Sequence, residues 1–131
     1  MQKKSMDELQ RLSVEEFKET FKNNVIIFLE NVRSMHNVGS VFRTSDAFLV
    51  EEIILTGVTP RPPHRDIHKT ALGATESVNW RYEKDAITVI EQLKNEGYKI
   101  VSVEQVHNSI SLNNFKKTEN EKYFVIHMSF N

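Results

Sequence analysis

Cysteine is absent from this 131-residue chain, which excludes disulfides, thiolate nucleophiles and cysteine-held zinc. With nothing pointing to export either, a cytoplasmic setting is the expectation. Glycine is scarce, at four residues, and their spacing builds no glycine-rich phosphate loop. Apolar runs are short: none approaches the length of a membrane span, and the opening MQKKSMDELQ lacks the apolar core of a secretory signal. A membrane partner is therefore not expected. Neither sign of charge is in excess, since 17 Lys and Arg stand against 18 Asp and Glu. A nucleic-acid partner would thus have to be met by a local basic patch, not by the field of the whole chain. Internal repeats and low-complexity linkers are missing too, so one compact unit is the economical reading, with a modest core given 39% hydrophobic residues.

What is present is an alternation of short apolar runs with helical patterns. Val25 to Leu29 is unbroken apolar sequence, as a strand buried on both faces requires, and Glu30 and Asn31 mark its end. Ile53, Ile54 and Leu55 form a second buried strand ending at Gly57. The stretch KTALGATESV predicts one short helix, after which Val78, Trp80 and Tyr82 alternate as a strand does, with Trp80 in the core. Asp85 caps a helix whose inward face is Ala86, Ile87, Ile90 and Leu93, and Gly97 stops it. Ile100, Val101 and Val103 read as another buried strand, and Tyr123 to Ile126 as the last. This order predicts an α/β fold, a parallel sheet with flanking helices. Upstream, capping boxes at Ser5-Met6-Asp7-Glu8 and Ser13-Val14-Glu15-Glu16 predict two short helices, dividing the chain into a helical extension, 1–24, and a main domain, 25–131. The polar run between Val106 and Lys122 carries no assigned chemistry.

The most informative stretch is ENVRSMHNVGSVFRTSDA, Glu30 to Ala47, which joins a strand end to a helix start. Val38, Val41, Phe42, Ser45, Phe48 and Leu49 fall on one helical stripe; Gly39, Arg43 and Asp46 lie off it. Helical side chains lean toward the N-terminus, so Arg43 is expected to reach back over the bare Gly39 toward the free amides of the first turn. That end favours an anion. An equally weighted structural reading pairs Arg43 with Asp46, uses Gly39 for close packing and makes Asn37 an N-cap. Further on, Pro60 to Thr70 predicts a proline-stiffened extended loop carrying Arg61, Arg65 and Lys69 against Asp66, with His64 and His68 able to add charge, a fit for phosphates or an ordinary solvated loop. His64-Arg65-Asp66 is no kinase triplet in so short a chain. His64 and His68 lack the glutamate of a zinc helix, so no metal site is expected.

The pattern N-V-R-x-x-x-N-V-G-S-V-x-R-T-x-D-A, beginning at Asn31, resembles the first signature motif of the SpoU/TrmH branch of the SPOUT RNA methyltransferases. The resemblance runs from Ile26 through TPRPPHRDIHKTALGATESVNW to IVSVEQ. It implies transfer of a methyl group from S-adenosylmethionine to a ribose 2′-hydroxyl of tRNA or rRNA by a homodimer with an α/β knot fold. By the same resemblance Arg43 activates the hydroxyl, Asn37 supports the site, Glu30 holds the acidic position that opens the motif, and Glu104 and Gln105 line part of the cofactor pocket. Arg61, His64, Arg65 and Lys69 are the expected RNA contacts. Arginine stays protonated, so electrostatic stabilisation of an alkoxide suits Arg43 better than proton abstraction. The family continues beyond its last strand into glycine- and asparagine-bearing motifs that form the knot, whereas here the sequence reads YFVIHMSFN, with His127 in the glycine position. The expectation is a chain shortened at its end, with a non-catalytic RNA-binding or interaction module as the alternative.

Overall fold

In the computed structural model the described residues are 23–102 and 121–128. The stretch expected to form two N-terminal helices, Val103, Glu104, Gln105 and the polar run after Val106 lie outside them. The elements run β1 (Asn23–Glu30), α1 (Met35–Ala47), β2 (Val50–Thr56), α2 (Arg65–Ala71), α3 (Ala74–Ser77), β3 (Trp80–Glu83), α4 (Ala86–Asn95), β4 (Tyr98–Ser102) and β5 (Lys122–Met128).

Among the described residues five strands form one parallel sheet, in the order β3-β2-β1-β5-β4. The chain steps outward from β1 to β3, then resumes at the opposite edge with β4 and returns inward to β5. The order reverses between β1 and β5, the position beside which open parallel sheets gather their ligands.

Central placement explains the apolar run of β1. Leu29 joins Ile53, Leu55, Val38, Phe42 and Ile67 in a core under α1 and α2. Ile26 and Phe28 face the other way, joining Ile54, Val89, Leu93 and Ile126 under α4. Phe28, Leu29 and Phe42 are fully buried; burying each such side chain stabilises the fold by about 2–3 kcal/mol. Trp80 is half-buried, its ring edge-on to Phe42 at a centroid distance of 6.3 Å.

Four expectations change. KTALGATESV does not form one helix: Leu72 (φ 50°) and Gly73 (φ 89°) are both left-handed and separate α2 from α3. Ile87 is 69% exposed because α4 turns Val89 and Leu93 inward; two residues are about 200° around a helix, which carries Ile87 to the solvent side. Strand β4 is the sheet edge, and only Tyr98 in it is buried. Phe48 lies beyond the end of α1 and is 66% exposed. Its side chain borders an apolar groove of about 410 Å³ between α1 and β1, floored by Ile27, Leu29 and Val50.

Candidate active site

The carboxyl ends of β1 and β2 are sewn together, and that stitching sets where α1 begins. Glu30 ends β1 half-buried, in register with Thr56 on one side and Met128 on the other. Asn31 then turns left-handed (φ 54°), a conformation asparagine tolerates better than most residues. Its Oδ1 accepts the Val58 amide at 3.0 Å. Gly57 (φ 64°) is required there twice over: by its backbone angle, and because a Cβ would lie 2.0 Å from Asn31 Oδ1. The buried hydroxyls of Thr56 and Thr59 both donate to Leu29 O at 3.3 Å, and Thr59 Oγ1 accepts the Val32 amide at 3.1 Å. Among the described residues no buried side-chain nitrogen or oxygen of this corner lacks a hydrogen-bond partner, so the strand-to-helix turn is held stiffly.

Ser34, not Asn37, is the N-cap of α1: its Oγ accepts the Asn37 amide at 3.2 Å and its carbonyl the Val38 amide at 3.0 Å. The amides of Met35 and His36 are left at the mouth of the helix. No acidic residue occupies the first turn, so the positive end of the dipole meets no charge of its own. Asn37 is exposed at the third helical position. Arg43 is exposed two turns in, and no hydrogen bond or ion pair to another described residue engages it.

Gly39 follows the close-packing reading and not the open one. It is buried, and α2 fills the space above it: a Cβ would lie 1.9 Å from Thr70 Oγ1 and 2.3 Å from Ile67 O. Thr70 Oγ1 also donates to His36 O at 2.9 Å. Arg43 thus has no open floor over Gly39. The glycine instead locks α2 onto the first turns of α1.

The cationic segment divides in two. Residues 60–64 are a turn with a cis Pro62–Pro63 bond, and from Arg65 the chain is helical, not extended. The reason is His64, whose Nδ1 accepts the Asp66 amide at 3.1 Å and caps α2. Its ring therefore takes the tautomer unprotonated at Nδ1. Arg65 and Lys69 are exposed and share Asp66 at 4.0 and 3.6 Å, contacts worth little at a surface. Arg61 lies apart from both, its guanidinium 4.3 Å from the ring centroid of Tyr82.

A second polar cluster, near α4, is structural. Arg81 lies 3.3 Å from both Glu52 and Glu83, and the Tyr98 hydroxyl donates to Glu51 at 2.9–3.0 Å. Burial, opposed by Arg81, raises the Glu52 carboxyl above its ordinary range. Burial, then the bond to Glu51, raises the Tyr98 hydroxyl.

Among the described residues no group of side chains is arranged to hold a metal ion, and no helix is long and apolar enough to cross a membrane. Among the described residues, the half-buried carboxylate of Glu30 beside the β1/β5 reversal is a group that would suit a positively charged cofactor. Glu104 and Gln105 lie outside the described residues, and of His127 only the strand position is described. The rim collects Glu30, Asn37 and the start of α1; Arg61 borders it from the segment after β2 and Tyr82 from β3. Asn31, Thr59 and Tyr82 were not singled out as site residues from the sequence. Asparagine directly after a strand was the one available hint.

A sequence model of the SpoU rRNA Methylase family matches residues 24–126. A Staphylococcus saprophyticus protein assigned to the TrmH family of tRNA/rRNA methyltransferases is 29% identical over 83 residues, covering 63% of this chain and 33% of that protein. The chain thus spans about a third of the length of the curated relative it matches. Among solved structures, the TrmH/SpoU tRNA modifying enzyme of A. aeolicus superposes with a TM-score of 0.75 at 18% identity, over 89% of this chain and 58% of that one. The AdoMet-bound rRNA methyltransferase of Sinorhizobium meliloti gives 0.70 at 18% identity, over 84% and 42%. At such identities the structures speak for the fold alone.

Proposed function

The chain belongs to the SpoU rRNA methylase family, and from that premise we propose that it methylates RNA, moving a methyl group from S-adenosylmethionine to a ribose 2′-hydroxyl of tRNA or rRNA. The observation that carries the reading is the Glu30–Ala47 junction: an exposed Arg43 on a helix that starts at the carboxyl rim with its first amides uncapped by charge.

S-adenosylmethionine supplies an electrophilic methyl group on a sulfonium. Glu30 would face that positive charge, with Glu104 and Gln105 as further contacts from the chain beyond β4. With the cofactor bound, the ribose oxygen would take the methyl group as the sulfur–carbon bond breaks and the neutral thioether leaves, the hydroxyl proton passing to a substrate phosphate or water. Arg43 stabilises the developing alkoxide, because a permanently protonated guanidinium beside it lowers the energy of that charge without itself moving a proton. Asn37 orients the ribose by hydrogen bonding from the neighbouring turn. Arg65 and Lys69 meet the RNA backbone, Arg61 and His64 add further RNA contacts, and a second copy of the chain completes the assembly.

The test is incubation of the chain with methyl-labelled S-adenosylmethionine and tRNA or rRNA, followed by nuclease digestion. Label on 2′-O-methylnucleosides, lost in Arg43→Ala, is expected. Label on a base, or full transfer by Arg43→Ala, would overturn the assignment of site and product. RNA binding with no transfer would identify these 131 residues as a binding module.

A further inference from the structure

Arg61 is held unlike the other described cations of this region. Arg65 and Lys69 share a carboxylate, and Arg81 lies between two. Arg61 instead sits over an aromatic ring, its guanidinium carbon 4.3 Å from the Tyr82 centroid. That ring is fixed at both ends. Its hydroxyl donates to Gly57 O at 2.7 Å, and its body packs against the core cluster of Leu29, Phe42 and Leu55. Tyr82 is in register with Leu55 near the carboxyl end of β2, so the pair stands at the rim where α1 begins.

A cation meant only for phosphate needs charge and reach; an aromatic support adds nothing to either. A guanidinium held against a ring has one face covered, the other open, and few rotamers left to lose. Planar, weakly hydrated and exposed, that outer face matches the π-surface of an unpaired nucleobase. We infer that Arg61 and Tyr82 form a stacking platform for one unstacked base of the RNA, so that the substrate is recognised at a single-stranded nucleotide beside the methylated ribose. The inference rests on the RNA reading above and adds a specificity element to it.

The experiment is a fluorescence titration of the full chain with a short single-stranded RNA carrying one 2-aminopurine, repeated across salt concentrations. Wild type is expected to quench the fluorophore on binding. Arg61→Lys keeps the charge and loses the plane: affinity should fall by about tenfold, quenching should vanish, and the slope of log affinity against log salt should stay unchanged. Tyr82→Leu should give the same loss and Tyr82→Phe should recover most of it, since the ring remains. Binding by wild type with Arg61→Lys equal to it would make Arg61 a phosphate contact and overturn the platform while leaving the RNA reading intact. No binding by a folded wild-type chain would overturn both.

Discussion

Two helices start from the same rim of the sheet, and their first turns are finished differently. At α4 the Asp85 carboxylate accepts the Ile87 amide at 3.1 Å, the Thr88 amide at 3.3 Å and the Thr88 hydroxyl at 2.8 Å. A full negative charge thus answers the dipole from within the chain. At α1 the cap is the neutral hydroxyl of Ser34, which takes one amide, and the nearest fixed charge of the helix itself is the cation Arg43. The first helix end is closed; the second is left for an anion from outside. What would separate the structural helix start from the proposed binding one is whether the chain supplies its own charge, not the shape of the turn.

Removing Arg43 should break that contrast most severely. Arg43→Ala is expected to lower methyl transfer by about 100-fold or more while shifting stability by less than about 0.5 kcal/mol, because the side chain is exposed. Label incorporation and urea denaturation measure the two effects on one preparation. A large loss of stability would mean that Arg43 supports the helix, not the reaction. Gly39→Ala should come next. Its Cβ would meet a backbone carbonyl, which cannot swing aside as a side chain can, so α1 and α2 must separate at a cost of about 3 kcal/mol. Gly73→Ala meets nothing within 4 Å and is strained only through its φ of 89°; it should cost about 1 kcal/mol. Equal costs at the two positions would show that the helices are not in contact at Gly39.

The contrast also marks how far the sequence could be read. Strand β1 was legible because five consecutive apolar residues have few other uses. The caps of α4 were legible because Asp85 and Gly97 lie within one element's length of each other. Along α1 the period found Val38, Phe42 and Ser45 but ran on into Phe48 and Leu49, where the helix has already ended and Leu49 is left-handed. Gly39 could be read either as bare surface or as a close-packing point, because the residue that covers it, Thr70, belongs to an element whose packing no local pattern reveals. The same holds for the stitching of the rim, where Val32 finds Thr59 27 positions away, and for Arg61 over Tyr82. Motif residues announced the site; what fixes them in place depends on contacts between distant segments, which periodicity does not encode.

Giving α1 the finish of α4 tests the contrast directly. Ser34→Asp keeps an oxygen in reach of the Asn37 amide and adds the missing charge. Stability should rise by about 0.5 kcal/mol, and RNA affinity should fall by about threefold at low salt as the new carboxylate competes for the helix end and repels phosphate. A gain in stability with unchanged affinity would show that RNA does not approach this end of the helix.

The smallest effect, and the most specific, is expected at the closed end. The Thr88 hydroxyl, then the Thr88 and Ile87 amides, hold the Asp85 carboxyl below the ordinary aspartate value of 3.8. A carboxyl whose pKa is depressed by folding contributes stability that is complete above the unfolded value and disappears as pH falls through the folded one. Asp85→Asn keeps a competent cap but cannot titrate. The gap in Tm between wild type and Asp85→Asn should therefore stay level from pH 7 to about 5 and narrow below 3.8. Taking the difference matters because Glu52, raised by burial, contributes with the opposite sign in the neighbouring pH range and would mask Asp85 in a single curve. Its contribution is common to both proteins and cancels. A gap that stays constant to pH 3 would show that the charge on Asp85 does not hold α4, and the two helix starts would then differ in shape alone.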